Sequence, residues 1–451
     1  MKKWYSTALV ILGLTLVGCG GSDSNGNNPH TQAKLRVIHA GADAPKVNVS
    51  ASGTELVSGL DYGSSSGFAT VNAQSYAVDV NAVLPNNKTT TVIQENYALG
   101  AEKNYSAVAV GSVADSTLEI VVLENADEPV ASGYARVQVL HGTPAAPTVD
   151  VYVTAPGGAL SSPTLTLSYR QFSDQISVPA GDYQIRITPT GSQTVVYDSG
   201  TAPLASGSDS LFVAIPNVYA GNSTVPVALL AASGSGATVI LDQGTGGDLR
   251  VVHAVADAPA VNVTLNNSAT PAVTGLQYLN ETDFVTVPSG EQTVTVAVQS
   301  NNQPVIQDKA VNIDKGVFYN AIALGSVDAS DAFDVELLAV EEDRRKVATE
   351  AKLSLVHGSV SAGTVDVYVT PTADISSATP AIAGFEYKQS VTGVAIAPGD
   401  AVVSVTPAGS KTVAIGPLNV MFEGGKLYGA IAQDAQNGGA PLTVNGFDEL
   451  N

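Results

Sequence analysis

The stretch LRVIHAGADAPKVNV at residues 35–49 returns at 249–263 as LRVVHAVADAPAVNV. Related copies stand between and after these, VQVLHGTPAAPTVDVYVT at 137–154 and LSLVHGSVSAGTVDVYVT at 353–370. In each copy an apolar strand ends in His, a turn follows, and a second strand opens on Val-Asn-Val or Val-Asp-Val. His39, His141, His253 and His357 each lie nine residues before Asn48, Asp150, Asn262 and Asp366. Within the first strand the histidine keeps step with the apolar side, as in Leu35, Val37, His39. Period-two alternation therefore aims the imidazole at a core or its rim. Asn48, Asp150, Asn262 and Asp366 fall in the opposite phase from their flanking valines, outward or toward an edge.

Outward from these copies, strand-like runs and turn signals alternate about every ten residues, the mark of a sandwich or barrel. The composition agrees, with 43 Gly, 23 Pro and 44% hydrophobic residues in which strand formers lie between turn formers. We expect four all-β units, at residues 35–126, 134–243, 248–341 and 351–451. The first and third signatures agree at twelve of fifteen positions, and the second and fourth at ten of fourteen. The order is thus A-B-A-B, a duplicated pair. The connections are short and polar, and the run Glu341-Glu342-Asp343-Arg344-Arg345-Lys346 reads as a solvated linker.

Before the first unit, Lys2 and Lys3 precede an apolar run from Ala8 to Val17 that is too short to span a bilayer. Leu16-Val17-Gly18-Cys19 follows, and Cys19 is the single cysteine of the chain. This segment resembles a bacterial lipoprotein signal with its lipobox. The resemblance implies a signal peptide over residues 1–18, cleavage before Cys19 and lipid on its sulfur, making the membrane a partner through that lipid. Gly20, where an Asp would retain the protein at the inner membrane, implies the outer membrane. Residues 19–34 read as the lipidated cysteine and a flexible tether, with His30 in it.

The repeat itself resembles the domain of unknown function 4397 family, in which a strand ending in His leads to an Asp-Ala-Pro-like turn and Val-Asp-Val-Tyr. The likeness is strongest from His39 to Pro45 and from His253 to Pro259; the B units lack the turn Asp, and Gly363 replaces Pro. It implies tandem Ig-like antiparallel β-sandwiches on bacterial envelope proteins and supplies no catalytic residues.

Several function classes lose support. With 20 basic against 41 acidic residues the net charge is −21, which disfavours nucleic acid as a partner. One His per unit makes no three-ligand zinc site unless carboxylates converge on it, and the sequence suggests neither metal nor cofactor. Interchange of Asn and Asp suits a side chain bonded to nearby backbone, because an amide cannot act as a general base. Gly63-Ser64-Ser65-Ser66-Gly67 matches G-x-S-x-G but lies in a polar turn, without the strand and helix of a nucleophile elbow. Asp331, Asp334 and Glu336 form a small acidic group that reads as a solvated strand edge, with weak calcium binding as the alternative. The sequence therefore points to a non-enzymatic envelope protein that binds, adheres or scaffolds, with an envelope protein or glycan as ligand. An enzyme or enzyme accessory acting on envelope or extracellular polymers is the alternative.

Overall fold

The computed structural model describes residues 31–328 and 333–450. Cys19, His30 and Asp331 lie outside the described residues. The chain is all-β, and its strands form repeated pairs of small sheets. In the first repeat the strands are β1 (Gln32–His39), β2 (Val47–Ala51), β3 (Thr54–Leu60), β4 (Ser64–Ser65), β5 (Ala69–Asn72), β6 (Ser75–Leu84), β7 (Lys88–Ala98), β8 (Lys103–Val110) and β9 (Glu119–Ala126). Since β1 begins at Gln32, residues 32–34 belong to the sandwich and not to a tether.

One sheet runs β4-β1-β8-β9, with β5 also on β1, and the other runs β3-β2-β6-β7. The sandwich is not wholly antiparallel. β1 and β8 run parallel, with Leu35 opposite Tyr105 and Val37 opposite Ala107. A parallel pair needs a long crossover between its strands, and here the whole second sheet lies in that connection. The same parallel pairing joins Tyr134–His141 to Asp209–Pro216, Gly247–His253 to Phe318–Leu324, and Ala351–His357 to Leu427–Gln433.

Alternation along β1 sends Leu35 and Val37 into the sandwich, while Ile38 faces out and is nevertheless fully buried. The outward face has an apolar counterpart in the second unit. Ile38, Val108, Val110 and Leu123 form one cluster with Leu140, Leu211, Val213 and Leu230. The arrangement recurs in the second half, where Val252, Ile322 and Leu324 meet Val356, Ile431 and Phe447. Each A unit thus packs sheet-on-sheet against the B unit after it, giving four stacked layers per pair. Runs such as LFVAIP (211–216) and VALLAA (227–232) have no polar phase because both faces of those strands are covered.

The pairs also touch each other. Gly246 donates its N–H to Gly221 O at 3.1 Å, and Ala220 to Gly316 O at 3.1 Å. The charge run at 341–346 is a solvated linker only in part, with Glu341, Asp343 and Lys346 exposed. The Glu342 side chain is only 3% exposed and Arg344 bridges it to Asp448. Arg345 donates to Ala42 O at 3.1 Å, Ala44 O at 2.9 Å and the Asp61 carboxylate at 2.6 Å in the first unit. Opposite signs in close sequence let the run neutralise itself and its neighbours pairwise, which permits burial.

Candidate functional site

All four signature histidines reach the core side of their strands and are buried. In each, Nε2 meets the carbonyl six residues on: His39 to Pro45 O at 2.9 Å, His141 to Pro147 O at 2.9 Å, His253 to Pro259 O at 3.1 Å, and His357 to Gly363 O at 2.7 Å. A carbonyl only accepts, so Nε2 carries the proton and Nδ1 is left as an acceptor. Val255 N–H approaches that acceptor in the third unit at 3.3 Å. The Nδ1 atoms of His39, His141 and His357 are buried with no hydrogen-bond partner. Burial pushes all four imidazoles below their ordinary pKa, partly opposed by the carbonyl bond. Each ring also meets a tyrosine edge-on, Tyr62, Tyr169, Tyr278 and Tyr387 in turn, at 6.2–6.4 Å between centroids.

The second signature position closes on backbone. Asn48 Oδ1 accepts from Gly59 N at 2.7 Å, and Asn262 Oδ1 from Gly275 N at 3.0 Å. Asp366 does the same with Oδ1 to Gly384 N at 2.8 Å, and its Oδ2 accepts from Gly409 N at 2.8 Å. Gly59, Gly275 and Gly384 have φ of 63°, 68° and 63°, each at a bulge where the ladder register shifts. Only glycine adopts that backbone at low cost. The second unit has no bulge there: Thr166 sits directly opposite Asp150 and donates its hydroxyl to Oδ1 at 2.6 Å. Asp150 Oδ2 then takes Gly191 N at 2.8 Å. The aspartates lie in the opposite phase from the core valines beside them and are nevertheless buried, at 4% and 6% exposure for Asp150 and Asp366. The two backbone N–H donors hold the Asp366 carboxyl below its usual range.

The turn aspartate that the B units lack has a structural task in the A units. Asp43 accepts from Ser112 Oγ at 2.8 Å and from the N–H groups of Val113 and Ala114 at 2.9 Å, pinning the β8–β9 loop. Asp257 repeats this with Ser326 Oγ at 2.7 Å and with Val327 and Asp328. In the fourth unit the roles are exchanged. Asp434, just after Leu427–Gln433, accepts from Ser359 and Ser361 of the signature turn.

Two residues that pattern reading passed over join the units. Arg36 and Arg250 occupy the same signature place and are buried. Arg36 donates to Ala232 O at 3.1 Å and Ser233 O at 2.8 Å in the second unit. Arg250 lies over Phe284 and over Phe447 of the fourth unit, at 4.6 and 4.5 Å to the ring centroids. The signal was the Leu-Arg-Val shared by both A copies and absent from both B copies. Tyr62 and Tyr278 likewise donate across the seam, to Pro216 O and, at 2.6 Å, to Asp434 O.

The remaining motifs do not converge. Ser64–Ser65 forms β4 on the edge of β1, and Ser66 Oγ accepts from Val37 N at 3.0 Å and donates to Gly67 O at 2.8 Å. Of the acidic group, Glu336 opens the edge strand Glu336–Glu342, keeps its side chain partly exposed to solvent and is ion-paired with Lys388. Among the described residues no three His, Cys, Asp or Glu side chains come together as a metal site, and no helix is long and apolar enough to cross a membrane.

No curated protein matches the chain. Among protein families, the one described as Domain of unknown function (DUF4397) matches twice, over residues 33–152 and 247–368. Each match runs from an A unit through the signature of the following B unit. With more than half of its length covered by these two matches, the chain belongs to the DUF4397 family.

Proposed function

We propose that this chain is a lipid-anchored protein of the bacterial cell envelope, at the outer membrane, that binds, adheres or scaffolds and performs no catalysis. The observation that carries the non-enzymatic part is the closure of the signature on itself. Each imidazole donates its Nε2–H to a carbonyl of its own turn, and each Asn or Asp accepts from backbone or a hydroxyl of its own unit. A general base needs an acceptor within reach of substrate, and the acceptor nitrogens of these imidazoles are buried beneath their own turns. The repeat then builds sandwiches, and the sandwiches supply surface for an envelope protein or glycan. The anchor rests on the lipobox-like segment ending in Cys19.

Metabolic labelling with a fatty-acid analogue tests the anchor. Wild type should take up label and Cys19→Ala should not; equal labelling of the two would overturn it. A glycan and protein binding screen with residues 20–451 tests the binding role. Turnover of an envelope polymer by that same preparation would overturn the non-enzymatic reading.

A further inference from the structure

The two sheets of the first unit do not close on each other. A cavity of about 260 Å³ lies between them, against a void of about 20 Å³ in the core of the second unit. The first unit's core falls into two groups beside it, one around Leu35, Tyr76, Leu99 and Tyr105 and the other around Val37, Val49, Leu60 and Val80, with Val78 packed against both; the fourth unit's core is divided as well. In the third unit, its nearest copy, the matching residues form one continuous core. There the edge strands Pro304–Ile313 and Glu336–Glu342 come into contact, whereas β7 and β9 stand further apart.

The register locates the difference. Val80 faces Val49 as Val296 faces Val263, so Tyr76 corresponds to Gln292. Tyr97 lies opposite Tyr76, where Val311 lies opposite Gln292. A cross-strand tyrosine pair therefore replaces Gln and Val at one end of the cavity. Tyr105 and Glu124 line that same end, with Lys103 Nζ 3.2 Å from Glu124. The opposite end is lined by Val37, Val49, Val80, Ile93 and Ile120. The space is an amphiphilic slot, apolar at depth, with three tyrosines at one end; Tyr76 and Tyr97 donate to Asn72 O and Glu95 and keep an acceptor, while Tyr105 accepts from Gly100 N–H and keeps a donor.

We infer that the first unit holds a single-chain amphiphile, a saturated hydrocarbon chain with a hydrogen-bonding head. The apolar walls take the chain, and the head lies among Tyr76, Tyr97 and Tyr105. A dry apolar cavity of about 150 Å³ is enough to bind benzene, and this one is larger. From Tyr76 to Val80 along β6 the slot spans about 13 Å, the extended length of a chain of about ten carbons. The inference rests on the proposed function only in that the ligand is held and not transformed.

The test uses residues 20–451 without detergent, with decanoic acid and 1-decanol as probes, read by calorimetry and native mass spectrometry. One molecule should bind per chain. Ala107→Leu and Val122→Phe, which point bulk into the slot, should each weaken binding at least tenfold while leaving the melting temperature unchanged or raised. No binding by wild type, or equal binding by a folded variant, overturns the site. The probe should be recovered intact; a probe recovered altered would support the site and overturn the non-enzymatic reading instead.

Discussion

Acid should unlock this fold through its histidines. Each signature imidazole is neutral in the folded state, with its pKa lowered by burial. In the unfolded chain the ordinary value of about 6.5 returns. As pH falls below about 6.5, the unfolded state takes up a proton that the folded state refuses, and stability falls with it. The contribution is fully present above that point and is lost progressively down to the lowered folded value. Within that window the loss is at most about 1.4 kcal/mol per pH unit for each histidine. His253 and His357 lie in units joined by one apolar cluster, so a pair that unfolds together should lose at most about 2.7 kcal/mol per unit. Chemical unfolding of residues 20–451 at about pH 7.5, 6.5 and 5.5 measures the slope. His253→Gln can keep an N–H toward Pro259 O but does not titrate, and should remove about one histidine's share. Carboxylates common to both proteins cancel in the comparison. Identical slopes for wild type and variant would refute the assignment of neutral, buried imidazoles.

Two further outcomes follow from the same geometry. The junction at 127–134 is largely exposed, while 245–247 is buried and 342–348 is anchored by Arg344 and Arg345. Limited proteolysis should therefore nick the first junction and spare the other two, and the nicked halves should co-elute because the seam holds them; prompt cleavage at 342–350 would contradict the packing of that segment. Asp366→Asn keeps an oxygen for Gly384 N–H but turns an amide NH₂ toward Gly409 N–H or forfeits one of the two bonds. The expected cost is about 1–3 kcal/mol by chemical unfolding, whereas Asn48→Asp, which keeps the acceptor for Gly59, should be near neutral; equal effects would contradict the two-acceptor role.

Much of the sandwich was legible because local rules wrote it. Period-two alternation placed His39 with Leu35 and Val37, and turn residues marked the strand ends. The parallel β1–β8 pair was not legible, since alternation gives the faces of a strand and says nothing of its neighbours' direction. β3 is hidden from a period-two reading because Gly59 breaks its alternation at the bulge. The seam left a signal in Arg36 and in runs such as LFVAIP, but a both-faces-buried strand looks the same whether a sheet of its own unit or a neighbouring unit covers it. The run at 341–346 looked solvated because its partners, Asp61 and Asp448, lie hundreds and about one hundred residues away. The slot in the first unit depends on how far two sheet edges part, and the Tyr76–Tyr97 pair that marks it becomes visible only once the strand register is known.

The alternation of A and B units has a physical reading in these contacts. Only the A copies carry the signature arginine, and both arginines reach into the following unit. Only the A copies' tyrosines donate across the seam, while the hydroxyls of Tyr169 and Tyr387 are buried without a partner. At these two signature positions the seam is asymmetric, with the Arg and Tyr donors on the A side, although other contacts run the opposite way, as Arg170 to Glu119 and Lys388 to Glu336 do. A chain of identical units would place donors on both sides of a face-to-face contact and leave some of them buried and unpaired, at about 1–3 kcal/mol each. Duplication of a pair keeps the signature arginine and the donating tyrosine on the A side of both seams, in keeping with first and third signatures that agree at twelve of fifteen positions.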